Sequence, residues 1–402
     1  MFVPLPIDEI TLGEPLPVDL WDSDGNLLMR RGSVIRDARH REWLARHDPQ
    51  VKEDEFKLWT YRYTAAIDRA LRNNHSLEKI ASVARPMGFD DAVEVEPDER
   101  PPEQIWTDLH ASLTLLLHQG EQVQDFTDRF VRIEQRMRVL LRSRVDDGLF
   151  VLAQMLFDRT LGYSASHALM CAVIVRLVAQ TLGWDAARQR SLQRAALTMN
   201  LGMARLHDDL ARQDAPLSAE QRRAVFEHPV RGEALLRRLG VQDALWLELV
   251  RDHHEQLGGT GYPHGRVDVP PPAQLLRMTD VYVARISPRL ARTGLPAPRA
   301  ARDVYLDASG MPTPLGASFV KTLGLYLPGT YVELASGETA VVARRGARAN
   351  TPLVFAIVGR EGLPRGEPPL RDTADRTYEV RRAVPAEEVK VRLQPSRLLA
   401  RL

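Results

Sequence analysis

Residues 252–263 read DHHEQLGGTGYP, an adjacent pair of histidines followed by a glycine-rich turn. Neutral imidazole is a common ligand for Zn, Fe, Mn and Ni. Adjacent histidines cannot share one face of a regular helix, but His253 and His254 can converge on a metal where a helix ends. The glycines supply such an end. Because an isolated pair of histidines is more often a surface feature than a ligand set, the surrounding sequence has to decide between the two interpretations.

Helical periodicity surrounds this stretch, from Glu103 to about Leu325. Apolar residues recur there every three or four positions, and glycines that end helices recur between them. These glycines are Gly162, Gly183, Gly202 and Gly240. The spacing predicts a bundle of roughly a dozen short and medium helices.

The two ends of the chain follow other patterns. Residues 1–50 alternate loosely between apolar and polar side chains, and the turn signal at 22–26 predicts a β-hairpin. Residues 52–84 have helical spacing, whereas residues 85–102 contain four prolines and six acids and have the composition of a linker. Beyond residue 327 the alternation returns and predicts a small β domain. Its strands are expected at 330–334, 338–343, 352–358, 377–382 and 388–392.

These patterns predict a mainly α protein in four parts. Residues 1–84 form an N-terminal β-rich module plus a helix, and residues 85–102 form a linker. The helical domain covers residues 103–326, and the C-terminal β domain covers residues 327–402.

Composition excludes several classes of protein. The formal net charge is +1, which gives no bulk electrostatic case for DNA binding. Cys171 is the sole cysteine in the sequence, so no intrachain disulfide forms, and we expect a cytoplasmic location. Residues 1–6 lack the features of a signal peptide. The longest apolar stretch, residues 168–175, is too short for a membrane span.

The sequence resembles the HD-GYP family, the bacterial branch of the HD metal-dependent phosphohydrolases. The family hallmark HHExxDGxGYP matches residues 253–263, except that Gly258 stands where the family has Asp. Four further segments match in the family's order: YSASH at 163–167, VFEHPVRG at 225–232, MTDVY at 278–282 and SPR at 287–289. The resemblance covers about residues 150–325, and both ends resemble modules that often flank such domains.

The resemblance implies an HD-type helical bundle that holds two or three metal ions and hydrolyses cyclic di-GMP to pGpG or GMP. Paired metals would neutralise the phosphodiester and lower the pKa of a bridging water. Five of the family's ligand positions are retained here. They are His167, His228, His253, His254 and Asp280.

The chain departs from the family at its namesake pair. The family segment AALLHDIGK aligns with AALTMNLGM at residues 195–203. Met199 therefore replaces the histidine, Asn200 replaces the bridging aspartate, and Met203 replaces a lysine. A thioether is a poor ligand for Mn, Fe(II) or Mg, and an amide has no bridging carboxylate. We expect that efficient hydrolysis does not survive these changes, and we assign no residue a catalytic role.

The resemblance also assigns the residues around the metal positions. Glu255 is interpreted as a hydrogen-bond acceptor rather than an acid or base. Gly261, Tyr262 and Pro263 form a rigid turn that implies a ligand- or partner-binding surface. Arg289 is either a phosphate contact or an ordinary surface arginine.

The remaining polar candidates have simpler interpretations. His207 and Asp208 lie eight residues too late to replace the family's pair and are interpreted as a solvated pair at an exposed turn. Cys171 is interpreted as a small buried apolar residue. The other histidines are expected to face solvent or to cap helices. They are His40, His47, His75, His110, His118 and His264.

The favoured hypothesis is a catalytically impaired regulator or effector in bacterial cyclic di-GMP signalling. It would bind cyclic di-GMP, a related nucleotide or a protein partner such as a GGDEF-type protein. One divalent metal (Fe, Mn or Zn) on His228, His253 and His254, or none, would remain, and a two-metal centre is not expected. The alternatives are an active phosphodiesterase with a reduced metal site and a scaffold that binds neither nucleotide nor metal.

Overall fold

The structure, a computed structural model, describes residues 2–5, 12–13, 16, 18–53, 55–56, 98, 100–123, 126–306 and 310–402. The chain divides into two compact units, Met1–Glu94 and Val95–Leu402. Most of the helix predicted at 52–84 and most of the linker predicted at 85–102 lie outside the described residues, as does His75; of that helix, the structure describes residue 52 as the end of a strand and residues 53, 55 and 56 as helical.

The first unit contains a small antiparallel sheet and one described helix. Its elements are β1 (Phe2–Pro4), β2 (Leu20–Trp21), β3 (Leu27–Met29), α1 (Ala38–Ala45) and β4 (Gln50–Lys52), and the strand order is β1-β4-β2-β3. Strands β2 and β3 pair around a turn in which Asp22 Oδ1 accepts from the backbone N–H of Asn26 at 2.8 Å. The predicted hairpin is therefore confirmed.

The second unit begins with eleven α-helices in its described part. They are α2 (Pro102–Gln119), α3 (Phe126–Ser143), α4 (Val145–Phe157), α5 (Tyr163–Thr181), α6 (Ala186–Thr198), α7 (Ala204–Ala211), α8 (Ala219–Arg238), α9 (Ala244–Asp252), α10 (Pro271–Ile286), α11 (Ala297–Tyr305) and α12 (Pro314–Leu323). The prediction of a mainly α, HD-type helical fold is confirmed.

Helix α5 runs through the centre of this bundle. It is long and apolar enough to cross a membrane, but 83% of its apolar window is buried inside the protein, as in a core helix. Beside it, the rings of Phe130 and Trp246 stack at 4.9 Å, and Trp246 Nε1 donates to Thr198 Oγ1 at 2.8 Å. Each buried aromatic ring of this kind contributes about 2–3 kcal/mol by leaving water. The core thus fixes α6 and α9, which lead into the candidate site.

A five-stranded antiparallel sheet follows the helices. Its strands are β5 (Tyr331–Leu334), β6 (Thr339–Arg344), β7 (Leu353–Val358), β8 (Leu370–Asp372) and β9 (Val380–Val384), in the order β8-β7-β6-β5-β9, and α13 (Pro395–Leu399) ends the chain. The sheet is anchored to α4, because Gln154 donates to the Gly329 carbonyl at 2.7 Å and accepts from the Tyr331 hydroxyl at 3.0 Å.

The strand predictions in this region are partly wrong. The hairpin at β5 and β6 and the strand at 352–358 are confirmed, and β9 begins three residues later than predicted. No strand forms at 388–392, where the chain leaves a 3₁₀ turn at Ala386–Glu388. Pro385, which lacks an N–H for a sheet ladder, precedes that turn. Strand β8 was not predicted. The division into domains stays a prediction.

Candidate metal centre

His228 is oriented by an irregularity in helix α8. Pro229 lies inside this helix and has no N–H to donate to the carbonyl oxygen of Val225, four residues earlier. That oxygen instead accepts from Nδ1 of His228 at 2.6 Å. Because a carbonyl oxygen can only accept, Nδ1 carries the proton and Nε2 keeps its lone pair.

His253 is oriented in the same way at the end of helix α9. The last carbonyls of a helix have no partner within it, and the oxygen of Val250 accepts from His253 Nδ1 at 2.7 Å. Nε2 of His253 therefore also keeps its lone pair. Both rings are fully buried, and in each case a carbonyl oxygen three residues earlier in the chain determines that Nδ1, and not Nε2, carries the proton.

The two free nitrogens face each other. Nε2 of His228 lies 3.2 Å from Nε2 of His253, and neither has a proton to donate in this tautomer. Burial lowers the pKa of His228 to about 3 and also lowers the pKa of His253, so both rings are neutral at pH 7. Two opposed lone pairs repel unless a cation lies between them. The arrangement therefore fits a metal ion better than a hydrogen bond.

His254 completes a group of three imidazoles. One ligand nitrogen from each of His228, His253 and His254 lies within 4.8 Å of the others. Burial lowers the pKa of His254 well below its usual value, so this ring is neutral as well. Three neutral imidazoles suit Zn and other divalent transition metals.

The loop after the histidines folds tightly back on them. A Cβ at Gly261 would lie 2.3 Å from the backbone nitrogen of Gln256, so glycine is required there. The peptide between Tyr262 and Pro263 is cis. The N–H of Tyr262 donates to the carbonyl of His254 at 3.3 Å, and its ring stacks on His254 at 4.5 Å. The loop therefore covers one face of the third imidazole.

Glu255 supports this loop. Its buried carboxylate accepts from the backbone N–H of His264 at 2.7 Å and of Arg266 at 2.9 Å. The interpretation of Glu255 as a hydrogen-bond acceptor is confirmed, because both oxygens are occupied by main-chain donors.

His167 and Asp280 form a second, adjoining group. Asp280 Oδ1 accepts from His167 Nε2 at 2.9 Å, while Asp280 Oδ2 lies 4.0 Å from His254. Burial alone would raise the pKa of Asp280, but the hydrogen bond from His167 and the electrostatic contributions of the neighbouring imidazoles together outweigh burial and hold the pKa well below its usual value. Asp280 is therefore an ionised carboxylate beside the three histidines. His167 Nε2, while it donates to Asp280, has no lone pair for a metal.

Arg289 is connected to the same group through Tyr163. Its Nη2 donates to the Tyr163 hydroxyl at 3.0 Å, and its guanidinium lies over the Tyr163 ring. The Tyr163 hydroxyl in turn donates to Nδ1 of His167 at 3.2 Å. Arg289 thus orients His167 through Tyr163, a partner that the sequence did not indicate.

Met199 and Asn200 lie against the helix that carries His228. A Cβ at Gly202 would lie 2.3 Å from the His228 carbonyl oxygen, so the segment after Asn200 packs directly on α8. Met199 is fully buried, and Asn200 is 5% exposed. The side-chain nitrogen of Asn200 has no hydrogen-bond partner within the described part of the chain. A neutral amide is thus buried at the position that the resemblance aligns with the family's bridging aspartate.

The prediction for His207 and Asp208 is wrong. Both are buried on α7, with exposed fractions of 6% and 5%. Asp208 accepts from the backbone N–H of Ser164 at 2.6 Å, which caps α5 because the cap residue Gly162 has no side chain. The His207 ring lies 5.4 Å from that of His167, and its Nδ1 has no partner among the described residues.

A helical pattern could have shown this burial. Ala204, His207, Asp208 and Ala211 have the i, i+3, i+4, i+7 spacing of a helix face, but the charged neighbours obscured it. Two other histidines also differ from expectation. His110 is buried and bonds the Gly162 carbonyl at 2.9 Å, and His118 bonds Asp208 at 2.7 Å. Cys171 is buried, as predicted.

Two residues at the mouth of the centre were not singled out in the sequence. Phe226, two residues before His228, is 52% exposed and stacks on Tyr262. Arg277, one turn before Asp280 on α10, is half-buried. An exposed aromatic residue next to a metal-ligand motif was the available signal for the first, and an arginine in an apolar helix was the signal for the second.

Comparisons with known proteins identify the part of the chain that carries these residues. Residues 151–308 match the family model of the HD domain. A cyclic di-GMP phosphodiesterase of Pseudomonas aeruginosa is 28% identical over 191 residues, which are 46% of this chain and 46% of that protein. The 3'3'-cGAMP-specific phosphodiesterase 3 of Vibrio cholerae is 29% identical over 140 residues, 34% of this chain and 30% of that protein.

A further relative is the cyclic di-GMP phosphodiesterase response regulator RpfG of Xanthomonas campestris. It is 28% identical over 190 residues, which are 45% of this chain and 50% of that protein. The chain thus matches half or less of the length of each of these relatives.

Proposed function

Residues 151–308 form an HD domain that belongs to the HD-GYP family, and from this membership we propose a catalytically impaired regulator or effector in cyclic di-GMP signalling. The protein binds a cyclic dinucleotide at the histidine centre, holds at most one metal ion there, and turns the nucleotide over slowly or not at all. A cytoplasmic location and a GGDEF-type protein partner stay predictions from the sequence.

The observation that carries this proposal is the buried Asn200. It lies on the segment that packs against α8 at His228, and it offers a neutral amide in place of a carboxylate. Two-metal hydrolysis needs an anion that bridges the ions and keeps them close together. Without this anion, a second cation at the centre has lost its strongest electrostatic partner.

The three histidines support a single metal ion. His228 and His253 present lone pairs 3.2 Å apart, and His254 completes the set. Fe, Mn or Zn bound there would supply a Lewis acid that attracts a phosphate oxygen. The protein itself orients His228 and His253 through carbonyl oxygens and keeps the ionised Asp280 beside His254.

The nature of the ligand follows from the relatives. Two of them are named as cyclic di-GMP phosphodiesterases and one as specific for 3'3'-cGAMP, so a cyclic dinucleotide is the ligand class to test. An active phosphodiesterase with a reduced metal site is the second candidate, because the three-histidine set is retained with free lone pairs.

Three measurements on the purified protein test the proposal. Elemental analysis should find at most one metal ion per chain. Calorimetry should detect binding of cyclic di-GMP or 3'3'-cGAMP. Incubation with Mn(II) or Fe(II), followed by chromatography, should yield no linear dinucleotide above the level of a His228→Ala variant. Robust product would show the second candidate to be correct, whereas absence of both metal and nucleotide binding would leave the scaffold hypothesis.

A further inference from the structure

A stack of three rings leads from the protein surface to the metal centre. The ring of His254 stacks on Tyr262 at 4.5 Å with an angle of 22°, and Tyr262 stacks on Phe226 at 5.1 Å with an angle of 21°. Phe226, the outermost ring, is 52% exposed. Each pair of neighbouring rings is close to parallel, and the exposed part of Phe226 is available for contact with another flat ring.

The position of Phe226 is fixed on both sides. It lies on α8 two residues before His228, and Tyr262 is held by its hydrogen bond to the carbonyl of His254. Purine bases stack on exposed aromatic side chains of proteins, and each such contact contributes about 1–3 kcal/mol. A preorganised ring needs little further ordering when it binds a base.

A positively charged side chain, that of Arg277, lies on the same side of the metal centre. Arg277 is on α10, one helical turn before Asp280, and has no hydrogen-bond or ion-pair partner among the residues that the structure describes. Asp280 accepts from His167, and no ion pair within 4.0 Å joins it to Arg277, although its negative charge acts on the guanidinium. Asp280 Oδ2 lies 4.0 Å from His254, the innermost ring of the stack, so Arg277, one turn earlier on the same helix, lies on the same side of the centre. Burial lowers the pKa of Arg277, and the charge of Arg277 acts on both Tyr262 and His254.

A half-buried guanidinium without a partner has lost part of its hydration and gained no ion pair. Its five donors match the oxygens of a phosphate, which it can bind in bidentate fashion. Arg289, the arginine that the sequence suggested for this role, is already bonded to Tyr163.

We propose that Phe226 and Arg277 form a nucleotide subsite at the mouth of the metal centre, where Phe226 stacks on a purine base and Arg277 binds a phosphate of the same nucleotide. The inference rests on the proposed function for the identity of the ligand as a cyclic dinucleotide. The two contacts themselves require only a purine nucleotide.

Calorimetry on the full chain tests the subsite with cyclic di-GMP, GMP and guanosine as probes. We expect Phe226→Ala to weaken the binding of all three about tenfold, because the base is common to them. Phe226→Tyr should retain the affinity, because it keeps a ring. Arg277→Gln should weaken cyclic di-GMP and GMP about tenfold and leave guanosine unchanged, because guanosine has no phosphate.

Two matched variants serve as controls. Leu115→Ala removes an exposed apolar side chain on α2, and Arg302→Gln removes an exposed arginine on α11. Neither should change the affinity for any probe. Circular dichroism of each variant checks that the fold is retained.

The outcomes separate the subsite from the proposed function. Binding of cyclic di-GMP that both Phe226→Ala and Arg277→Gln leave unchanged would overturn the subsite and leave the proposed function intact. Binding of GMP, but not of cyclic di-GMP, with the expected dependence on both residues would support the subsite and contradict the proposed function. No binding of any probe by the unaltered protein would overturn both.

Discussion

Asn200 has an amide NH2 group where aspartate has a carboxylate oxygen of similar size. It therefore lacks the full negative charge of the carboxylate. At the position that the resemblance aligns with the family's bridging aspartate, an asparagine would therefore leave packing almost unchanged while it lacks the anion that would hold two cations together. Met199 similarly fills a fully buried position without offering a ligand that Mn or Fe(II) favours. If the proposed loss of the second metal is correct, such residues explain how the HD fold can persist without it.

Introducing the family's two residues tests the alignment and the proposed loss of activity together. The double variant Met199→His, Asn200→Asp should raise the metal content measured by elemental analysis above that of the unaltered protein and increase release of pGpG from cyclic di-GMP. The reason is that a bridging carboxylate and a further imidazole return beside His228. Asn200→Gln, which alters the amide without adding charge, is the control. An unchanged metal content in the double variant would contradict the alignment.

Helix α8 contains a proline that destabilises the helix and leaves free a carbonyl that orients a candidate metal ligand. Proline inside a helix costs about 3 kcal/mol, because it removes a backbone hydrogen bond and crowds the preceding turn. In α8 the carbonyl of Val225 that Pro229 leaves free is the one that orients His228. The instability of the element is therefore coupled to the geometry of the metal centre.

Replacing Pro229 should separate stability from metal binding. In Pro229→Ala, a new N–H can donate to the Val225 carbonyl and displace His228 Nδ1 from it. We expect the free energy of unfolding, measured with urea, to rise by about 1 kcal/mol or more, whereas metal affinity should fall about tenfold or more, as when an orienting partner of a ligand is lost. Pro314→Ala, at the start of α12, should change neither quantity substantially. Unchanged metal affinity in Pro229→Ala would contradict the orienting role of this carbonyl.

Over the whole molecule, the sequence predicted what depends on local pattern. Helical periodicity, the hairpin turn at 22–26 and the alternation after residue 327 were sufficient for the element types, since each reflects one buried face. The fold that these elements build was recognised from motifs such as the one at 253–263. Local pattern failed at 388–392, where the alternation of Val389, Val391 and Leu393 did not lead to strand pairing.

The side-chain partners depended on tertiary structure and could not be predicted in this way. Asp208 is buried because it caps α5, more than forty residues earlier in the chain. Arg289 bonds Tyr163 because α5 and the end of α10 meet in space, and the spacing of residues does not reveal that meeting. The centre as a whole therefore contains more buried polar groups than the motifs indicated.

Four of these groups make the stability of the metal-free protein depend on pH. Burial lowers the pKa values of His207, His228, His253 and His254 below the unfolded value of 6.5, and that of His228 to about 3. The unfolded chain then binds more protons than the folded chain below about pH 6.5. The free energy of unfolding should therefore be constant above about pH 7.5 and fall as the pH decreases from 6.5.

Urea unfolding between pH 8 and 5, after a chelator has removed any bound metal, measures this dependence. Each buried imidazole contributes a slope of up to about 1.4 kcal/mol per pH unit below its unfolded pKa. The variant His228→Gln removes one of these imidazoles. The slope should therefore fall by up to about 1.4 kcal/mol per pH unit, which corresponds to one bound proton. Asp280, whose pKa is lowered from 3.8, titrates below this range and does not contribute. A stability that stays constant from pH 8 to 5 would mean that these imidazoles are accessible to water, which would contradict the closed metal centre described above.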